Sequence, residues 1–199
     1  DLPPMVAHLL YHRGLKTQKA IDEFLNPDYG DDIHDSFLFR DMRKAIDRIY
    51  AAIDAKEKIV VHGDYDADGV PASALLHETI TALGGDVDVF IPHRETEGYG
   101  VNVNTIDLVY HDGVRLMITC DCGISNVDAV TRANELGMDI IITDHHALPP
   151  ELPKAFAIIH PKIDGEKYPY KDLAGGGVAW KLSVALVHGR PNDIVDPDT

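Results

Sequence analysis

Three aspartates fall within five positions of "HGDYDADG" (62–69), at Asp64, Asp66 and Asp68, with His62 just before them and Gly69 just after. "CDCGIS" (120–125) adds Asp121, and "TDHH" (143–146) adds Asp144, His145 and His146. Carboxylates mixed with imidazoles are the ligands that borderline and hard divalent cations take. The first stretch also fits the opening of an EF-hand calcium loop, and that fit can be checked. With Asp64 at loop position 1 and Gly69 at position 6, position 12 must supply a bidentate glutamate. That position is Leu75. The flanks disagree too, because a calcium loop follows a helix, whereas "KIVVHGD" (58–64) is apolar and β-branched like a buried parallel strand. The stretch reads as strand, acidic turn and helix, with Pro71 in the first helical turn, where its missing N–H costs little.

The elements that must position these residues follow from hydrophobic patterning. Strand-like runs lie at 58–64, 86–93, 115–121, 139–144 and 155–161, separated by helical patterns near 70–83, 102–111 and 124–137, with a last helix at 176–188. This alternation predicts an α/β fold, a Rossmann-like parallel β-sheet with helices on both faces, joined by right-handed crossovers. Residues 1–57 differ. Helical stretches near 16–25 and 41–56, joined by "NPDYGDDIHDS" (26–36), predict an amino-terminal helical region packed as a cap on the core, with the α/β domain running over 58–199.

Ligands of open parallel sheets bind outside the carboxyl ends of the strands. A single aspartate after a strand is ordinarily a turn or helix cap. Three strand ends that all carry carboxylates, one with two adjacent histidines, are not explained that way. Like charges held so close repel unless cations neutralise them, so the cluster predicts metal. The ligand types suit Mn²⁺, with Mg²⁺ or Co²⁺ as alternatives. Six or more ligands exceed the needs of one ion and match two, about 3.5–4 Å apart, which supply a nucleophile at neutral pH and stabilise the entering and leaving oxygens of an attack on phosphorus. The reaction class is hydrolysis of a phosphoester or phosphoanhydride. No G-x-S-x-G motif competes with it.

Two further stretches suit a phosphate-bearing ligand. In "DLAGGGVAWKL" (172–182), Gly175, Gly176 and Gly177 precede a helix whose amino terminus favours an anion, with an ordinary glycine turn as the equal alternative. In "IPHRETEGYGVN" (91–102), Arg94 could grip a phosphate and Tyr99 stack on a base; a plain surface loop is the bland alternative. The balance of 18 basic and 33 acidic residues gives a net charge of −15. That opposes non-specific nucleic-acid binding unless divalent cations or a basic partner domain hold the polymer. Cys120 and Cys122 are expected on opposite faces of the sheet and unbridged, in keeping with a reducing cytoplasm. No run of 18 apolar residues and no signal peptide is present. The chain starts at Asp1 rather than Met, which reads as a piece of a longer protein.

"DYDADG", "DCGIS", "DHH" and "LAGGGVAWKL", in this order and spacing, resemble the DHH phosphoesterase superfamily. "HGDYDADGV", the P-x-R-x-x-x-G-Y-G pattern at 92–100, "EFLNP" and "DMRKAIDRI" narrow the resemblance to the RecJ family of bacterial single-strand-specific 5′-to-3′ DNA exonucleases. The resemblance implies a DHH-type catalytic domain with two Mn²⁺ ions. Asp66 and Asp68 would each hold one, with Asp64 or His62 completing the first site. Asp121 would bridge them and His145 would ligate the second. His146 would contact the scissile phosphate, as acid to the leaving oxygen, and Asp144 would orient the histidine pair. Arg94, Tyr99, Ser125 and the glycines at 175–177 would meet the substrate. It further implies work in DNA repair and recombination in the cytoplasm, with a single-strand-binding protein and a helicase as partners. Three departures stand out. The family's further aspartate, in a G-T-x-A-D context, has no counterpart, since Asp193, Asp196 and Asp198 sit in a different setting. The family's carboxy-terminal lobe and OB-fold are absent from the sequence. Pro71 stands where the family has Thr or Ser. The alternative readings are a DHH phosphoesterase acting on an oligoribonucleotide, a cyclic dinucleotide or pyrophosphate, and an inactive fragment that keeps the fold.

Overall fold

The computed structural model describes residues 2–30 and 32–189; Asp193, Asp196 and Asp198 lie outside them. In chain order the elements are α1 (Pro4–His12), α2 (Gln18–Leu25), a 3₁₀ turn (Ser36–Leu38), α3 (Met42–Ala55), β1 (Lys58–Gly63), α4 (Gly69–Ala82), β2 (Asp86–Phe90), α5 (Val103–His111), β3 (Val114–Cys120), α6 (Val127–Leu136), β4 (Asp139–Thr143), β5 (Ala157–Ile159) and α7 (Gly175–Gly189). The strands form one sheet, ordered β2-β1-β3-β4-β5, with every pairing parallel. The five apolar, β-branched runs are therefore its strands.

Strands β1, β3, β4 and β5 bury both faces, which explains their nearly continuous apolar runs, whereas β2 leaves Asp86, Asp88 and Val89 exposed. Ile59, Val61, Leu116, Ile118 and Ile141 face one core with α3, α4 and α7. Val60, Met117, Ile140 and Ile142 face a second core with Ile106 and Val109 of α5 and Ala129, Val130 and Ala133 of α6. The strand order reverses between β1 and β3, which opens a crevice beyond their carboxyl ends.

The chain divides into two compact units, one up to Asp35 and one from Ser36 onward. In the first, Thr17 caps α2 by accepting the Ala20 N–H at 3.2 Å. Helix α1 was not expected from the sequence. Pro4 at its start is a helix signal, but Met5, Leu9 and Tyr11 are exposed and only Leu10 is buried, so its apolar residues draw no single stripe. In the second unit, Met42, Ala45, Ile46, Ile49 and Ile53 of α3 join the core against the sheet. The unit containing the sheet thus begins at Ser36 and takes α3 with it, ahead of the 57/58 division read from the sequence.

Cys120 and Cys122 are free and buried, in different cores. Residues two apart on a continuous strand share a face. These two separate because β3 ends at Cys120 and Asp121 takes a left-handed φ of 59°.

Candidate metal centre

Adjacent strands β1, β3 and β4 deliver their terminal residues to this crevice. At the end of β1, buried Asp64 accepts the Tyr65 N–H at 2.8 Å. The turn that follows is so tight that a Cβ on Gly69 would stand 2.6 Å from the Asp64 carbonyl oxygen. Asp66 does cap α4: its Oδ1 accepts the N–H groups of Asp68 and Gly69 at 2.8 and 2.9 Å. Those bonds hold its carboxyl below the usual range. Asp68 sits at the N-cap of α4 yet makes no side-chain cap bond. Its two oxygens instead accept the N–H groups of Gly175 and Gly176, at 2.7 and 2.6 Å, at the start of α7.

The sequence left the glycine loop open between a phosphate cradle and an ordinary glycine turn. Two of its N–H groups are taken by Asp68, and a Cβ at Gly175 would stand 2.4 Å from Asp121 Oδ1. At Gly177 a Cβ would stand 3.0 Å from the Leu173 side chain. Carboxylates press against the first two glycines, Asp121 on Gly175 and Asp68 on Gly176.

Asp121 follows β3, and its N–H donates to the Thr143 carbonyl at 3.0 Å. A left-handed aspartate is strained by the order of 1 kcal/mol, and here the strain aims the side chain inward. Asp121 is 0% exposed, and neither carboxylate oxygen accepts a hydrogen bond. Among the described residues, only Ser36 Oγ and His62 Nε2 are likewise buried without a partner. Burial, with the charges of Asp68 and Asp66, pushes its carboxyl up to about 7.

Two ligand groups meet at this carboxylate. Oxygens of Asp64, Asp66 and Asp121 lie within 4.8 Å of one another, and so do ligand atoms of Asp121, His145 and His146. His145 Nε2 is 3.0 Å from Asp121 Oδ1 and 3.7 Å from Asp68 Oδ2; His146 Nδ1 is 3.9 Å from Asp121 Oδ1. A buried carboxylate whose oxygens accept no well-formed hydrogen bond, flanked by carboxylates and imidazoles, fits the cation pair that the ligand types suggest.

Asp144, after β4, is buried and saturated. It accepts from the N–H groups of Ile124, His145 and His146 at 3.0, 2.6 and 3.1 Å, and from His146 Nδ1 at 2.8 Å. This assigns a proton to Nδ1. Burial lowers the pKa of His146, but the bond to Asp144 and the charges of Asp144 and Asp121 outweigh it and the net shift is upward. His145, desolvated and beside His146, is shifted down, which suits a neutral ligand.

The remaining sequence candidates stand at different distances from this centre. His62 belongs to neither ligand group: its buried ring stacks on Phe90 at 5.3 Å, and its Nδ1 is 3.7 Å from Cys122 Sγ. Burial lowers its pKa to about 4. Tyr99 Oη donates to the Asp121 carbonyl at 3.2 Å and lies 3.3 and 3.4 Å from the two ring nitrogens of His146. Arg94 lies over the Tyr65 ring at 5.4 Å. Ser125 lines a cavity of about 300 Å³ with Asn102, Asn126 and Asp128, between the starts of α5 and α6. Sequence reasoning missed His160 and Lys162, whose side chains reach the His146 and His145 carbonyls. The available signal was "IIHPK", which ends the fifth strand on the same edge of the sheet.

A sheet with this order and a carboxylate–histidine centre at its switch point defines a class. The family described as "DHH family, N-terminal domain" matches residues 58–197, and the chain belongs to it. Over 195 residues it is 45% identical to the single-stranded-DNA-specific exonuclease RecJ of Bacillus subtilis (strain 168), covering 98% of this chain and 25% of that relative. A crystal structure of exonuclease RecJ bound to manganese superposes with a TM-score of 0.70 at 36% identity, covering 76% of this chain and 38% of the other. RecJ of Thermus thermophilus in complex with Mn²⁺ gives 0.69 at 29% identity, covering 90% and 24%. The chain thus spans about a quarter of the length of its B. subtilis relative.

Proposed function

We propose that this protein hydrolyses phosphodiester bonds in single-stranded DNA from the 5′ end with two Mn²⁺ ions, Mg²⁺ being the alternative. One observation carries the reading: the buried Asp121 carboxylate, whose oxygens accept no well-formed hydrogen bond, is common to both ligand groups. Asp64, Asp66 and Asp121 would hold one ion, and Asp121, His145 and Asp68 the other. When bound, such a pair activates water and stabilises charge on the attacked phosphate. His62 belongs to neither ligand group, but its buried Nε2 has no hydrogen-bond partner, so it remains a candidate to complete the first site.

The side chains divide the remaining work. His146, held through Nδ1 by Asp144 and shifted toward its protonated form, presents Nε2 as the proton donor to the leaving oxygen. Arg94, exposed beside Tyr65, would grip a phosphate, and the half-exposed Tyr99 ring would meet a base. Gly175 and Gly176 serve by fixing Asp68, and a phosphate reaching the loop would compete with that carboxylate. Ser125, in its separate cavity, is assigned a contact further along the strand. With a net charge of −15, the polymer's phosphates must be met by bound cations or by basic surface elsewhere. Repair and recombination, the cytoplasm, and a single-strand-binding protein and helicase as partners complete the reading by resemblance. No helix among the described residues is long and apolar enough to cross a membrane.

The test supplies 5′-phosphorylated single-stranded DNA, a short RNA and pyrophosphate side by side in Mn²⁺. The reading expects the DNA to be cut fastest and His146→Ala to slow cutting about 10²–10⁴-fold while leaving metal uptake intact. Preference for pyrophosphate or RNA, or unaltered turnover in the variant, would contradict it.

A further inference from the structure

The two histidines at the centre hang from a short loop whose main-chain polar groups are nearly all captured. The Asp144 N–H donates to the Ile159 carbonyl at 3.2 Å. The N–H groups of His145 and His146 are held by Asp144. The two carbonyls are held from a single segment, the residues just after β5. Lys162 Nζ reaches the His145 carbonyl at 2.6 Å, and His160 Nε2 lies 3.0 Å from the His146 carbonyl.

His160 is 0% exposed and bonded at both ring nitrogens. The Lys162 N–H donates to Nδ1 at 3.1 Å, so Nδ1 carries no proton and Nε2 must be the donor to the His146 carbonyl. Burial, its largest influence, keeps the ring on the neutral side. The neutral ring thus has one tautomer and one orientation, and it links the β5 segment to the peptide that carries His146. No sequence motif assigns this residue.

We propose that His160 is a positioning residue for His146: its Nε2–H bond fixes the peptide plane from which the His146 ring reaches toward Asp121 and the substrate. The proposal rests on the metal-centre reading above. Groups that orient ligands in this way typically change metal affinity or activity by about 10–100-fold when removed.

The experiment compares the protein with His160→Leu, which fills the space without a donor, and with His160→Gln, whose side-chain amide reaches the Nε2 position. Each is titrated with Mn²⁺ by calorimetry and assayed on 5′-phosphorylated single-stranded DNA. The expected result for His160→Leu is Mn²⁺ binding about 10-fold weaker and kcat about 10–100-fold lower, with KM nearly unchanged. His160→Gln is expected to restore both. A residue that merely stabilises the fold would lower the melting temperature and leave kcat per folded molecule unmoved; that outcome, or His160→Gln failing as badly as His160→Leu, overturns the proposal. If the unmodified protein takes up no Mn²⁺, the metal reading and the positioning role fall together. If it binds Mn²⁺ and both variants match it in binding and kcat, the positioning role alone falls.

Discussion

The two edges of the sheet treat charge in opposite ways. At the amino-terminal edge, Arg48 of α3 stands between Glu57 and Asp139, at 2.7 and 2.6 Å, and Lys58 meets Asp88 at 3.0 Å. Cation and carboxylate are matched in these pairs. At the carboxyl edge, Asp64, Asp66, Asp68 and Asp121 crowd together, and among the described residues none of them forms an ion pair with a lysine or arginine. Their partners are backbone N–H groups and two histidines, and the Asp121 oxygens, though His145 Nε2 stands 3.0 Å away, accept no well-formed hydrogen bond. The same sheet can satisfy its charges with protein cations, so the imbalance at the other edge marks a place prepared for cations from outside.

The largest effect expected from breaking this contrast is at Asp121. Asp121→Ala removes the carboxylate common to both ligand groups, so the bridged pair is lost and hydrolysis falls by more than the roughly 100-fold that loss of an orienting neighbour costs. Calorimetry and a nuclease assay check this together; two ions still bound with unchanged affinity would remove Asp121 from its bridging place.

At the opposite edge the expected effect is on stability alone. Arg48→Met leaves Glu57 and Asp139 without their shared cation and should destabilise the fold by about 1–2 kcal/mol, given how far the partners reach into solvent. Urea denaturation measures that loss. Mn²⁺ affinity should stay the same, and a shift in it would mean that the two edges are not independent.

A further effect on stability follows from pH. In metal-free protein, Asp121 titrates near 7 when folded and near 4 when unfolded, so between those values the folded state binds the extra proton. Its unfavourable contribution is absent below about pH 4 and complete above about pH 7. Asp121→Asn should therefore gain stability over the parent as pH rises through that window, and the gain should disappear when Mn²⁺ is present. His62, shifted down to about 4, works in the other direction, but it is present in both proteins and cancels. A stability difference that does not vary with pH would show that burial and the neighbouring carboxylates do not raise the Asp121 carboxyl.

Much of this was legible in the sequence because both signals are periodic or clustered. The runs from 58–64 to 155–161 read as strands from their β-branched residues alone, and helices on both faces followed from the alternation. The aspartates were conspicuous because they recur at strand ends. What escaped were features that depend on where side chains turn. Asp68, read from the sequence as a metal ligand, also reaches across to the N–H groups of Gly175 and Gly176, and the ring of His62 stacks on Phe90. His160 acts through a carbonyl, and no residue pattern announces a partner that is backbone. Helix α1 escaped because its apolar residues remain exposed in the described structure.

The most direct measurement is a Mn²⁺ titration of the protein by calorimetry, beside the same titration of Asp121→Asn. Two ions per chain in the parent, and at most one, weakly held, in the variant, is the result predicted from a carboxylate that both ligand groups require. No uptake by the parent, or two ions bound equally by both proteins, would contradict it.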